Sequence, residues 1–195
     1  ASMPPRFLAV GRFVSKKGPL DTLEAFALLR GLTDQADACS LVMVGDGPLL
    51  AAVQERARQL GLEQFVQFPG VLSPDAVAQE MRRARVFVQH SRTAEDGDEE
   101  GCPVSVMEAQ LCGLPVVATR HGGIPDVVVD QQTGRLVEEG DRRAMAEAMA
   151  LLVDQPDLAA AWGAAGQLRA QARFTVAHHV DQITMLLNDL VGRSR

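Results

Sequence analysis

Phe7-Leu8-Ala9-Val10-Gly11-Arg12-Phe13-Val14-Ser15-Lys16-Lys17-Gly18 is the stretch that decides the fold. Four apolar residues without alternation run into a glycine turn, and the turn runs into a helical pattern over Gly18–Leu32. A short apolar run of this kind suits a strand covered on both faces. The same unit recurs along the chain. Ser40–Val44 leads through Gly45-Asp46-Gly47 to a helix over Pro48–Leu60, and Val66–Phe68 leads to a helix over Pro74–Arg83 capped by Ser73. Val86–Gln89 precedes a helix over Pro103–Cys112. Val116–Thr119 and Gly134–Val137 complete the strands, with a helix over Arg142–Leu152 after the last. Gly61 and Gly113 read as helix stops. Strict β-α alternation predicts an α/β, Rossmann-like, doubly wound parallel sheet of about six strands with right-handed crossovers. Ligands of such sheets bind beyond the carboxyl ends of the strands. Beyond Asp154 the pattern is wholly helical, over Asp157–Ala172 and Val176–Leu190. Residues 155–195 therefore read as a C-terminal helical extension, packed on the flank or reaching toward a neighbouring domain.

With 195 residues, 47% of them hydrophobic, the chain suits one domain over residues 4–195 with a substantial core. A net charge of -6 gives no basic field for nucleic acid, so phosphate binding must come from local geometry. Cys39, Cys102 and Cys112 are an odd number without metal-ligand spacing, which fits reduced thiols in a cytoplasmic setting. No apolar run approaches the ~20 residues that span a bilayer. Ala1-Ser2-Met3 shows no signal-peptide pattern and the first strand follows almost at once, so the chain reads as a fragment or as one half of a larger machine. The acidic segment Thr93–Glu100 reads as the flexible one.

The chemistry concentrates in the turns after the strands. Gly11 permits a tight exit, Arg12 can fork two phosphate oxygens, and Lys17 or Lys16 adds a compact charge. This is no Walker loop, because the spacing of glycines and the Lys-Ser/Thr ending are absent. In Glu100-Gly101-Cys102-Pro103-Val104-Ser105-Val106-Met107-Glu108, Pro103 fits the first helical position. The amides of Val104, Ser105 and Val106 would then face outward, where the helix terminus favours a phosphate. Glu100 lies just before that anion site and Glu108 about a turn and a half inside the helix. Carboxylates accept paired hydrogen bonds from a vicinal diol. Anion-binding amides between two such carboxylates describe a receptor for a nucleotide-sugar.

Six motifs in register carry a family resemblance: Val10-Gly11-Arg12 with Lys17-Gly18, Val44-Gly45-Asp46-Gly47-Pro48, Phe68-Pro69-Gly70, Glu100 to Glu108, Cys112-Gly113-Leu114-Pro115-Val116, and Gly122-Gly123-Ile124-Pro125-Asp126. From about Phe7 to Asp141 the chain resembles the donor-binding half of a retaining, GT-B fold glycosyltransferase of family 4 (group 1). The Asp96–Gly101 lead-in is similar to that of bacterial exopolysaccharide enzymes. The resemblance implies that Arg12 and Lys17 hold the diphosphate and stabilise charge on the leaving group, and that the segment from Gly101 through Pro103, Val104 and Ser105 cradles a phosphate. It implies that Glu108 takes the ribose hydroxyls, that Glu100 orients the donor sugar and stabilises positive character at its anomeric carbon, that Gly11 lines the donor site beside Arg12, and that the backbone of Phe68–Gly70, at the close of the third strand, faces the base. No metal or other cofactor is implied, because Arg, Lys and helix amides meet the diphosphate. The implied partners are a UDP- or GDP-sugar and a saccharide or lipid-linked acceptor, the latter through an N-terminal domain absent here, with peripheral association at the inner membrane face. Cys102 departs from the aromatic residue that many relatives carry after the first Glu-Gly, which alters the expected sugar pocket.

Other residues have plainer readings. Lys16 reads as surface charge, and Asp96-Gly97-Asp98 as a solvated loop rather than a metal clamp. His90 and His121 lie at the cleft rim, where packing is the default and substrate contact the sharper alternative. His178-His179 lack a third ligand for a metal, and Cys102 lacks a partnering base. Two rival functions stay open: a non-catalytic donor-binding subunit serving a separate acceptor-binding chain, and a nucleotide-sugar epimerase.

Overall fold

The computed structural model describes residues 4–193; Ala1-Ser2-Met3 lie outside them, as does the side chain of His179. Six strands, β1 (Arg6–Val10), β2 (Ser40–Val44), β3 (Val66–Gly70), β4 (Val86–Gln89), β5 (Val116–Thr119) and β6 (Gly134–Val137), form one sheet in the order β3-β2-β1-β4-β5-β6. Every pairing is parallel. The helices are α1 (Pro19–Leu29), α2 (Leu50–Gln59), α3 (Pro74–Arg83), α4 (Val104–Leu111), α5 (Ile124–Val127), α6 (Arg142–Asp154), α7 (Pro156–Arg173) and α8 (Val176–Arg193).

The unalternating strands have the physical cause their sequences suggest, because each face of the sheet carries its own core. Phe7, Leu41, Val86 and Val117 turn to one face, under Leu23 and Phe26 of α1, Met145 and Met149 of α6, and Trp162 of α7. Their neighbours Leu8, Val42, Phe87 and Val116 turn to the other, under Met81 of α3, Val106 and Ala109 of α4, and Ile124 of α5. Phe7 and Phe26 meet edge-on at 6.0 Å between ring centres. The strand order reverses between β1 and β4, so their loops leave in opposite directions and open a crevice.

Some boundaries differ from the sequence reading, each for a local reason. Pro103 is the residue before α4 rather than its first: its ψ of 118° is extended. Its carbonyl accepts the Val106 amide at 3.1 Å, so of the three amides expected to be free, Val106 is occupied. Helix α2 starts at Leu50 because Leu49 first donates to the Phe13 carbonyl at 3.0 Å. The short α5, whose second residue is Pro125, is an element the sequence reading did not assign. The extension splits in two. Helix α7 docks on the flank, where Gln167 Nε2 donates to the Leu111 carbonyl at 2.8 Å and Arg169 Nη2 to that of Asp126 at 2.8 Å. Helix α8 instead exposes Val176, Met185, Leu186 and Leu187.

Candidate functional site

The loop after β1 is held from below. Gly11 donates to the Val44 carbonyl at 3.0 Å and Phe13 to that of Asp46 at 2.9 Å, while the buried Phe13 ring packs against Phe68. These ties leave Arg12 exposed, and among the described residues its side chain makes no hydrogen bond or ion pair. A single turn of 3₁₀-helix, Ser15–Lys17, then ends at Gly18. Gly18 has φ of 49°, and a Cβ there would stand 2.0 Å from the His90 carbonyl oxygen. Only glycine lets the β1 loop lie this close to the exit of β4.

That approach brings two distant motifs together. Lys17 Nζ donates to Glu100 Oε2 at 2.7 Å, across 83 residues of sequence. The pair is mostly shielded, with side chains 17% and 9% exposed. Lys16, read as plain surface charge, donates to Asp98 Oδ1 at 2.9 Å and to the Glu99 carbonyl at 3.3 Å. The Asp98 hydrogen bond comes first among the causes that raise its pKa above the ordinary value. Asp98 therefore serves as a lysine partner, and the Asp96 carboxylate closes a turn onto the Asp98 amide. Among the described residues no three His, Cys, Asp or Glu side chains gather as a metal site.

After Glu100 and Gly101 the chain reaches α4. The amides of Val104 and Ser105 have no hydrogen-bond partner among the described residues. The Ser105 hydroxyl is tied to Gln89 Oε1 at 3.2 Å, which fastens the helix start to the end of β4. Val104 and Glu108, four residues apart, share the exposed face of α4, while Val106, Ala109 and Gln110 face inward. Glu108 touches neither Lys17 nor Arg12 among the described contacts. On the other side of Arg12 a cleft of about 510 Å³ opens between the ends of β1 and β2 and the start of α3, lined by Gly11, Arg12, Asp46, Leu72 and Val77. The Phe68 side chain turns away from it, toward Phe13 and the core; Val71 and Leu72, just past Gly70, face the cleft instead.

Two residues that hold this site were not assigned that role from sequence. The Glu100 amide donates to His121 Nε2 at 3.0 Å, and His121 Nδ1 lies 2.5 Å from Glu139 Oε1. Glu139 Oε2 also accepts the Thr93 amide at 2.9 Å. Burial would lift the Glu139 carboxyl, but the His121 and Thr93 hydrogen bonds outweigh it and hold its pKa below the usual value. Segment 93–100, read as flexible, is thus tied at both ends. His121 had a visible signal in its place before Gly122-Gly123; Glu139 had only its position just past a strand end. His90 is fully buried and accepts the Gly140 amide at 2.8 Å, as a packed histidine. Cys102 is a free thiol whose partial burial, with the charges of Asp126 and Glu100, raises its pKa, which disfavours a nucleophile.

Comparison with known proteins identifies the family and the fold. The model of the family described as "Glycosyl transferases group 1" matches residues 1–169. The chain is 36% identical over 143 residues to the amylovoran biosynthesis glycosyltransferase AmsK of Erwinia amylovora, covering 73% of this chain and 34% of that one. It is 35% identical over 164 residues to a GDP-mannose-dependent alpha-(1-6)-phosphatidylinositol monomannoside mannosyltransferase of Mycolicibacterium smegmatis, covering 84% of this chain and 42% of that one. The crystal structure of Anabaena Alr3699/HepE in complex with UDP superposes with a TM-score of 0.82 at 25% identity, over 94% of this chain and 48% of that one. The chain thus spans less than half the length of each.

Proposed function

The chain belongs to the group 1 glycosyl transferases, and from that premise we propose that it is the donor-binding half of a retaining glycosyltransferase, with an N-terminal domain supplying the acceptor. The observation that carries this reading is the meeting of Lys17 with Glu100 beside the two unpartnered amides of α4, at the point where the strand order reverses. In this reading the diphosphate of a nucleotide-sugar lies between Arg12, Lys17 and the amides of Val104 and Ser105. Lys17, held by Glu100, and the α4 amides are fixed before the reaction, so they stabilise charge on the departing nucleoside diphosphate with little reorganisation, while the exposed Arg12 closes on it from the open side. Glu108, one turn further along the same exposed face, takes the ribose hydroxyls. The nucleobase enters the cleft past Arg12, against Leu72 and Val77. Glu100 faces the sugar, where its carboxylate orients the ring and stabilises positive character at the anomeric carbon as the bond to phosphate breaks.

The transferred group is a hexose from a UDP- or GDP-sugar, and the acceptor a saccharide or lipid-linked saccharide at the inner membrane face. No helix among the described residues is long and apolar enough to cross a membrane, so membrane association in this reading is peripheral. Thermal unfolding in EDTA with UDP, GDP or ADP tests the donor site. One diphosphate should raise the midpoint, since a ligand at 100 times its Kd adds about 2.7 kcal/mol. A response to none, or only with a divalent cation present, would count against the reading.

A further inference from the structure

Glu100 is held by more than its ion pair with Lys17. Its amide donates to His121 Nε2 at 3.0 Å. An imidazole nitrogen that accepts a hydrogen bond carries no proton, so the proton of this neutral ring sits on Nδ1 and is donated to Glu139 at 2.5 Å. The His121 side chain is 2% exposed and that of Glu139 35%, so the ring is enclosed and the carboxylate that orients it is half-open. Glu139 also takes the Thr93 amide at 2.9 Å, and the Thr93 hydroxyl donates to Glu99 Oε1 at 3.1 Å. One carboxylate after β6 thereby fastens both ends of the segment that carries Glu100. The next turn completes the clamp. Gly123 donates to the Gly101 carbonyl at 2.5 Å, and a Cβ on Gly122 would stand 1.9 Å from the Glu100 carbonyl oxygen. Packing alone would hold the loop with an apolar residue at position 121. A buried, hydrogen-bonded imidazole fixes the backbone of one particular residue in one direction.

We propose that His121 and Glu139 are positioning residues for the donor sugar: Glu139 orients His121, and His121 fixes the Glu100 backbone so that its carboxylate faces the sugar. The inference rests on the reading of Glu100 given above. It separates two affinities that a merely structural role would move together, because Glu100 meets the sugar while Arg12, Lys17 and the α4 amides meet the diphosphate. The test titrates the chain with UDP and UDP-glucose, and with GDP and GDP-mannose, for the unmodified protein, His121→Ala, His121→Gln and Glu139→Ala. Glu139 is partly exposed and lies outside both cores, so its truncation should spare the fold, which an unchanged unfolding midpoint checks. In the pair that binds, His121→Ala and Glu139→Ala should weaken the nucleotide-sugar about tenfold and the free diphosphate less than twofold. His121→Gln, whose amide oxygen can accept from Glu100, should recover part of the loss. Equal weakening of both ligands, or no change in either, would overturn the proposal. A trans-hydrogen-bond ¹⁵N–¹⁵N coupling between the Glu100 amide and His121 Nε2 reads the contact without ligand, and its absence would also overturn it. If the coupling is present but the unmodified chain binds neither ligand of either pair, the donor-site reading itself fails, and this inference falls with it.

Discussion

Lys16 and Lys17 are neighbours in sequence with different tasks in space. Lys16 ties down the acidic segment through Asp98, and Lys17 reaches the enclosed Glu100 carboxylate. Sequence reasoning read Lys17 as a diphosphate ligand and Lys16 as surface charge, but could not see that both are engaged by segment 93–100, because contacts across 80 residues are decided by topology. A second residue-scale consequence concerns His90. Burial pushes its imidazole pKa below the ordinary 6.5, and its Nε2 must stay unprotonated to accept the Gly140 amide. In the unfolded chain the ring binds a proton near the ordinary value; in the folded chain it does so only at lower pH. Below 6.5 the unfolded state therefore holds more protons, and stability falls as pH falls, by at most about 1.4 kcal/mol per pH unit from this group. Urea midpoints measured from pH 7.5 to 5.5 should show this decline, and His90→Gln should flatten it.

At the scale of elements, the strands were almost wholly legible, since a run apolar on successive positions has few places to go except a sheet covered twice. Ser40–Val44, Val86–Gln89, Val116–Thr119 and Gly134–Val137 match the sequence reading end to end. Helix starts were less legible. Pro103 suits both the last extended position and the first helical one, and the hydrogen bond from Val106 to its carbonyl decides between them. The candidate site was legible where a motif pointed to it, at Arg12, Lys17 and the segment from Glu100 to Glu108, of which the structure brings Lys17 and Glu100 together. It was hidden where it depends on an element with no motif, as at Glu139. The Gly122 turn shows how strictly these elements fit. With φ of 50° and the Glu100 carbonyl 1.9 Å from any Cβ, Gly122→Ala must displace the loop. It should cost on the order of 1–3 kcal/mol in denaturant unfolding, whereas Gly97→Ala, with nothing within 4 Å, should cost only its backbone strain.

For the whole molecule, the two cores and the reversal of strand order between β1 and β4 explain why one crevice collects the phosphate-binding, sugar-facing and nucleobase-facing groups of the proposed donor site. Helix α7 closes the flank of this unit, while α8 carries Leu186 and Leu187 in the open at 65% and 57% exposure. The central claim is that a nucleoside diphosphate binds across this crevice, and calorimetric titration of the chain in EDTA tests it most directly. With whichever of UDP and GDP binds, Lys17→Ala and Glu108→Ala should each weaken binding about tenfold, and Lys16→Ala less than twofold. Binding that is indifferent to both Lys17 and Glu108 would place the nucleotide elsewhere and contradict the account.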